Sequence, residues 1–295
     1  MIEDVQEVTR MWNEFFSEDQ VSVGDLKSRF YDNEFVKPIL PSYKETAFSL
    51  AASRGNPFFY ESDEEGKGWI LGAGFSNQRE DLLNLINKQF EEFARRKIGR
   101  VYYSNMVPTY FLPGVDDARY PQLKLALLEL GFKQVQRVIS MESGLESAIP
   151  EMRPINGMDV SAVRDTEKSD LLTFIGNNFP ADWYYRAKEV LEHGISEQVV
   201  VARRLNKIVG YGMFSAGSGA EWYASGERFG PFGVLESERS NGIGSIILIN
   251  LIRNMKKLKL KKAFFLWTDE RATHIYKRFG FNISRTFVIM EKVLF

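Results

Sequence analysis

Cysteine is absent from the 295 residues, and histidine occurs only as His193 and His274. No disulfide, thiolate nucleophile or cysteinyl intermediate is available to this chain. A zinc site of sulfur and imidazole has almost no ligands to draw on. Neither sign of charge dominates: 38 Lys and Arg stand against 39 Asp and Glu, a net charge of −1. No global field therefore favours nucleic acid or an anionic membrane. The longest apolar run, Ile246–Ile252, falls far short of the roughly 20 residues that span a bilayer. Met1–Glu7 is acidic and reads as helix, not as a secretory signal. These gaps point to a cytoplasmic protein with no metal, nucleic-acid or membrane partner. The length suffices for two domains, each with its own core. Composition is that of a globular chain (44% hydrophobic, 26% charged), and aromatics are high at 14%.

The most informative stretch present is Arg239-Ser240-Asn241-Gly242-Ile243-Gly244-Ser245. An apolar strand-like run, Phe229–Leu235, precedes it, and an amphipathic helix, Ile246–Met255, follows it. A strand, a glycine-bearing turn and a helix start make an anion site, because first-turn N–H groups lack intrahelical partners and the dipole is positive there. Gly242 and Gly244 let backbone approach a phosphate, and Arg239 adds a charged fork. Two better-known phosphate loops do not fit. A dinucleotide fingerprint needs a third glycine where Ile247 stands, and no Gly-Lys-Ser/Thr triplet follows. A second block, Ala272-x-x-x-Tyr276-Lys-Arg-Phe-Gly280-Phe281, lies one helix and one strand further on.

These residues resemble the Arg/Gln-x-x-Gly-x-Gly/Ala segment and the Ala-x-x-x-Tyr-x-x-x-Gly-Phe helix of the GNAT acetyltransferase superfamily. The resemblance implies acetyl-CoA as cosubstrate, its pyrophosphate on Arg239 to Ser245. It also implies that Phe232 and Val234 offer main-chain partners to the pantetheine arm, where two strands splay apart.

Gly131-Phe132 and Gly280-Phe281 are each followed nine residues later by Met-Glu, and each pair follows a helical pattern and precedes a strand-like one. The offset of 149 residues suggests two copies of one α/β unit. With the resemblance, this implies a tandem-GNAT protein, residues 1–147 and 148–295. Each half is expected to be α/β (α+β in some schemes), a mixed, mostly antiparallel sheet flanked by helices. The first copy reads as degenerate. Its phosphate turn would fall near Phe75–Leu82, which has no glycine and carries Glu80 and Asp81, and carboxylates there would use the dipole themselves. It begins in a helix, Val5–Phe16, without the usual first strand. An inserted stretch, Pro108–Tyr120, either drapes over the other lobe or a substrate, or packs its own aromatics.

In the second half, Met152–Ile155 reads as a first strand, and Asp159 and Val160 start a helix toward Phe174. Asp182 is able to cap a helix from Trp183 to Glu192. Gln198–Ala202 and Ile208–Phe214 read as a hairpin. The Lys256–Lys262 run reads as a solvated helix end.

An amine acceptor must lose a proton, and the departing thiolate must gain one. Tyr276 matches the family tyrosine that reaches the thioester sulfur. For the base, Glu227 lies just ahead of the fourth strand; Glu221, Asp182 and a water relay are alternatives, and a slip of one residue would put Arg228 there instead. Asp269 stands where many relatives carry asparagine in the cofactor groove. Trp183 and Trp222, with Phe179, Tyr184 and Tyr223, either line an acceptor pocket or belong to the core. His274 is expected on the surface. The expectation is an N-acetyltransferase that moves acetyl from acetyl-CoA to a small-molecule or protein amine by direct attack in a ternary complex, as a monomer or homodimer. The alternative is a non-catalytic CoA-binding sensor or interaction protein of the same fold.

Overall fold

The computed structural model describes residues 5–56, 66–107, 109–146, 151, 154–215 and 227–295. Two compact units comprise Met1–Ile139 with Arg285–Phe295, and Ser140–Ser284. A cut at 147/148 would leave Arg285–Phe295 with the second half. These residues belong to unit 1 because Arg285 is buried there between two carboxylates. Its Nε donates to Asp116 Oδ2 at 2.6 Å and its Nη2 to Asp19 Oδ2 at 2.9 Å. A buried guanidinium needs that pairing.

Unit 1 opens with α1 (Val5–Phe15), whose buried Val8, Met11 and Trp12 recur at helical spacing. A capped single turn, α2 (Val23–Leu26), follows. Then come β1 (Val36–Ile39), the short β2 (Tyr43–Lys44), β3 (Ala47–Arg54), β4 (Lys67–Phe75), α3 (Arg79–Arg95), β5 (Arg100–Tyr103) and α4 (Pro121–Glu129). The first part of β6 (Lys133–Gly144) and the last part of β12 (Asn282–Val293) complete the unit. The sheet order β1-β3-β4-β5-β12 is antiparallel except for the parallel β4–β5 pair. β3 and β4 are buried along nearly their whole lengths, which is why their sequences are near-continuous small and apolar runs. Of the 108–120 stretch, the described residues pack into unit 1. Phe111 lies 4.9 Å from Trp12, Val115 bridges to Val288, and the Tyr120 hydroxyl donates to Asp19.

Unit 2 takes the end of β6, then β7 (Met158–Ala162), α5 (Lys168–Asn178), α6 (Ala181–His193), β8 (Val199–Arg204) and β9 (Lys207–Ser215). β10 (Glu227–Val234), α7 (Ile243–Lys257), β11 (Lys262–Thr268) and α8 (Glu270–Lys277) follow. From the end of β6 the sheet order is β6-β11-β10-β9-β8-β7. The β8–β9 hairpin turns on Leu205 and Asn206, both at positive φ, as a two-residue hairpin loop requires. One expectation is corrected. Residues 158–162 form a strand, not a helix start, and the helix begins at Lys168. Pairing with β8 supplies the hydrogen bonds, and Asp159 binds the guanidinium groups of Arg164 and Arg203 instead of capping. Of the strand expected at 152–155, residues 152 and 153 lie outside the described residues, and 154–155 are not in a strand. Asp182 sits in the first turn of α6, with Pro180 at the cap position.

Alternation along β9 divides its neighbours. Tyr211 and Met213 join the core under α5 and α6, together with Leu171, Ile175, Ala187 and Val190. Gly210 and Gly212 face the opposite way, where Ile247 and Leu251 of α7 press so close that a Cβ would meet them at about 3 Å or less.

Candidate active site

Among the described residues, β10 pairs with β11 only at Glu227↔Ala263 and Arg228↔Phe264. Beyond that point β10 follows β9 to Val234, while β11 runs on to Thr268 without it. The separation begins at a bulge between Phe229 and Phe232, where Gly230 has φ +101 and Pro231 has no N–H to donate. The Leu235 N–H donates to the Val209 carbonyl, so Gly233 and Leu235 face β9. Antiparallel alternation then turns the amides and carbonyls of Phe232 and Val234 toward the side that β11 has left. Arg239 lies on that side, its Nε donating to the Val234 carbonyl at 3.2 Å.

The turn that follows is open. Arg239, Ser240 and Asn241 are exposed, and Ser245 is half-exposed. Ser240 (φ +67) and Gly242 (φ +80) are both left-handed, and α7 starts at Ile243, two residues earlier than Ser245. Ile243 is buried and anchors the start. Among the described residues no side chain caps α7, and no acid sits in its first turn. Gly244 lies against β10, where a Cβ would stand 3.1 Å from the Phe232 ring. Of the two acids just upstream, Glu238 pairs with Arg204 and Glu236 is exposed.

Tyr276, in the last turn of α8, packs its ring against Phe229 and Phe232 of β10, Phe265 of β11 and Phe281, with centroids 4.5 to 6.2 Å away. Burial pushes its phenol well above the ordinary value, and the Asp269 charge adds to the shift. The group therefore stays protonated near neutrality, as a proton donor must. Asp269 caps α8, its Oδ1 accepting the Ala272 N–H at 2.7 Å. His274 is exposed.

On the α5–α6 face, Phe179 and Trp183 stack at 5.2 Å and 14°. Both rings lie over Gly233, where a Cβ would come within 2.4 Å of Phe179. Of Glu227 only the backbone is described, at the start of β10. Glu221, Trp222 and Tyr223 lie outside the described residues. Asp182 is brought near Arg228 and Tyr211. Burial raises its carboxyl pKa, and the Arg228 charge and two local N–H groups oppose the rise. Tyr211 is wholly buried, and among the described residues its hydroxyl has no hydrogen-bond partner. Sequence reasoning missed Tyr211. Its only signal is the Gly210-Tyr-Gly212 triplet, which leaves one large side chain on one face of the strand and none on the other. Among the described residues, no group of three or more His, Asp or Glu is arranged to hold a metal. No described helix is long and apolar enough to cross a membrane.

Residues 164–281 match the model of the acetyltransferase (GNAT) family. No curated protein matches the chain. Among solved structures, the chain is similar to a GCN5-related glucosamine N-acetyltransferase region of a fungal multi-domain GH3 β-N-acetylglucosaminidase (TM-score 0.72, 16% identity). That match covers 98% of this chain and 37% of the other. A GCN5-related N-acetyltransferase from Sphaerobacter thermophilus aligns over 99% of this chain and 94% of its own, at TM-score 0.68 and 14% identity. A tandem GNAT protein from the clavulanic acid biosynthesis pathway aligns over 98% and 96%, at TM-score 0.64 and 10% identity. The strand order, the parting of β10 from β11 and the family match over 164–281 lead to one conclusion: the chain has the fold of the GNAT family of acetyltransferases.

Proposed function

We propose that unit 2 carries an N-acetyltransferase site for acetyl-CoA and a primary amine, and that unit 1 is a second copy of the fold that has lost its cofactor turn. The observation that carries the reading is the parting of β10 from β11 directly ahead of the uncapped start of α7. The residues suit the cosubstrate. Gly242 at positive φ and Gly244, where a Cβ would crowd the Phe232 ring, bring bare backbone to the turn. The amides of Ile243, Gly244 and Ser245, with Arg239, Ser240 and Asn241, would hold the diphosphate. The outward amide and carbonyl groups of Phe232 and Val234 would pair with the pantetheine arm.

Acetyl-CoA supplies a thioester carbonyl. The amine nitrogen attacks that carbon directly; a C–N bond forms and the C–S bond breaks. Tyr276 gives the sulfur its proton, and Glu227 takes one from the amine, with Trp183 bordering the acceptor. The chain has no cysteine, so no acyl-enzyme step through sulfur intervenes. Calorimetry with acetyl-CoA tests the cofactor half, with one site per chain expected. Thiol release against an amine panel tests turnover. Binding without release across a broad panel would leave a CoA sensor instead.

A further inference from the structure

We propose that a cleft between β7 and the outer flank of α7 in unit 2 binds a small monocarboxylate carried on an apolar body, at a site separate from the parting of β10 and β11. The cleft has a volume of about 210 Å³, and Ile246, Ile249, Asn250 and Arg253 of α7 line one side of it. Met158 and Val160 of β7 line the other, together with residues 154 and 155 just ahead of that strand. At roughly 100° per residue, the four α7 positions fall together on one flank of the helix. Gly244, Ile247 and Leu251, which meet Phe232 of β10 and Gly210 and Gly212 of β9, fall on the opposite flank. The cleft therefore opens away from the gap between β10 and β11.

A helix flank turned from its sheet is ordinarily polar. This one carries Ile246 and Ile249, and Ile249 is only 2% exposed. Met158 and Val160 are half-buried, so β7 leaves its share of the apolar wall partly open. The polar part of the lining consists of donors. Asn250 donates one N–H to the Ile246 carbonyl at 2.9 Å, a bond within the helix, and keeps the other. Among the described residues the exposed Arg253 guanidinium has no ion-pair or hydrogen-bond partner. A guanidinium fork beside an amide N–H suits the two oxygens of a carboxylate. Charge and size narrow the class further. A phosphate monoester carries nearly two charges, and a single arginine would leave one of them uncompensated against the isoleucine wall. A cationic ligand meets repulsion from Arg253. A cavity of roughly 150 Å³ is enough for benzene. The larger cleft takes a ring or short alkyl chain together with the arm that brings its carboxylate to Arg253.

Calorimetry of the full chain with 3-phenylpropanoate near pH 7 reads the site without turnover, and 3-phenylpropanamide is its neutral counterpart. Saturable binding of the acid is expected, with acetyl-CoA present or absent, and the amide should bind at least tenfold more weakly. Arg253→Gln should weaken the acid at least tenfold, leave the amide unchanged and melt with the wild type. A cluster that only packs β7 against α7 would not separate acid from amide in this way. Val160→Phe should fill the cleft and weaken both. Failure of the acid to bind, equal affinity for the amide, unchanged acid affinity in Arg253→Gln, or competition between the acid and acetyl-CoA overturns the proposal. A homodimer in light scattering that Val160→Phe splits would seat a second copy in the cleft and overturn it as well. Acetyl-CoA should bind Arg253→Gln within about twofold of wild type. Loss of acetyl-CoA binding in the wild-type chain would strike the acetyl-transfer reading alone, so the two failures are told apart.

Discussion

Unit 1 and unit 2 both run strand, turn, helix, strand through their sheets, β4 to β5 in one and β10 to β11 in the other, and treat the middle of that run in opposite ways. In unit 1, β4 and β5 pair over four registers until β5 ends. The buried Tyr103 accepts the Ala73 N–H of β4 with its phenol oxygen. Trp12 and Phe15 press on Gly72 and Gly74, where a Cβ would fall within 2.5 Å of their rings. The first turn of α3 holds Glu80 and Asp81, and Asp81 is buried with the Thr46 hydroxyl donating to it at 2.6 Å. Carboxylates already occupy the positive end of the α3 dipole. In unit 2 the strands part after Arg228 and Phe264, α7 starts, among the described residues, with neither cap nor acid, and the Phe232 and Val234 backbone looks into the gap. The lesson is that this scaffold leaves backbone open for a ligand by withholding partners from it.

The largest effect should come from spoiling the open turn. Gly242→Asp adds a side chain at φ +80 and a negative charge to the helix start, and acetyl-CoA binding should vanish in calorimetry. Asp81→Asn in unit 1 should create no second site; a stoichiometry of two would break the comparison. Next, Trp12→Ala removes a fully buried indole. It should cost about 3–5 kcal/mol of stability in denaturant unfolding, the range for large aromatic deletions. Tyr276→Phe should lower the rate of thiol release about 100-fold, the lower end for loss of a general acid, with acetyl-CoA affinity unchanged. Equal rates would show that the ring only fills space between β10 and β11.

The smallest effect is a pH dependence. Arg203 hydrogen bonds hold the Glu167 carboxyl below its usual value. Stability from that pair is therefore present above the unfolded glutamate value of about 4.3 and lost as pH falls through the lower folded value. Glu167→Gln should melt below wild type at pH 7, and the gap should narrow as pH drops below about 4. A gap independent of pH would contradict the assigned role.

Much of unit 2 was legible because its signals are local. Gly242 and Gly244 sit where a left-handed residue and a close backbone approach are needed, and apolar runs bounded by turn residues marked β8, β9, β10 and β11. β7 was misread because Met158–Ala162 is a short strand at the sheet edge, and its hydrogen bonds come from Arg204 to Val200, some forty residues away. Glu80 and Asp81 were readable as carboxylates at a helix start, whereas the use of Tyr103 against Ala73 was not, because nothing in either segment encodes their meeting.

The chain's own order of residues determined that no cysteine is on hand, that one turn carries Gly242 and Gly244 while the other carries Glu80 and Asp81, and that Gly-Phe and Met-Glu recur at one spacing in both halves. Tertiary structure alone decided that Arg285 is neutralised by Asp19 and Asp116, that β10 leaves β11 after Arg228, and that the Tyr211 hydroxyl is buried with no partner among the described residues. The division has a physical cause. Propensity, turn chemistry and patterning act between residues a few positions apart, while burial and partnership are set by atoms that only the folded chain brings within reach.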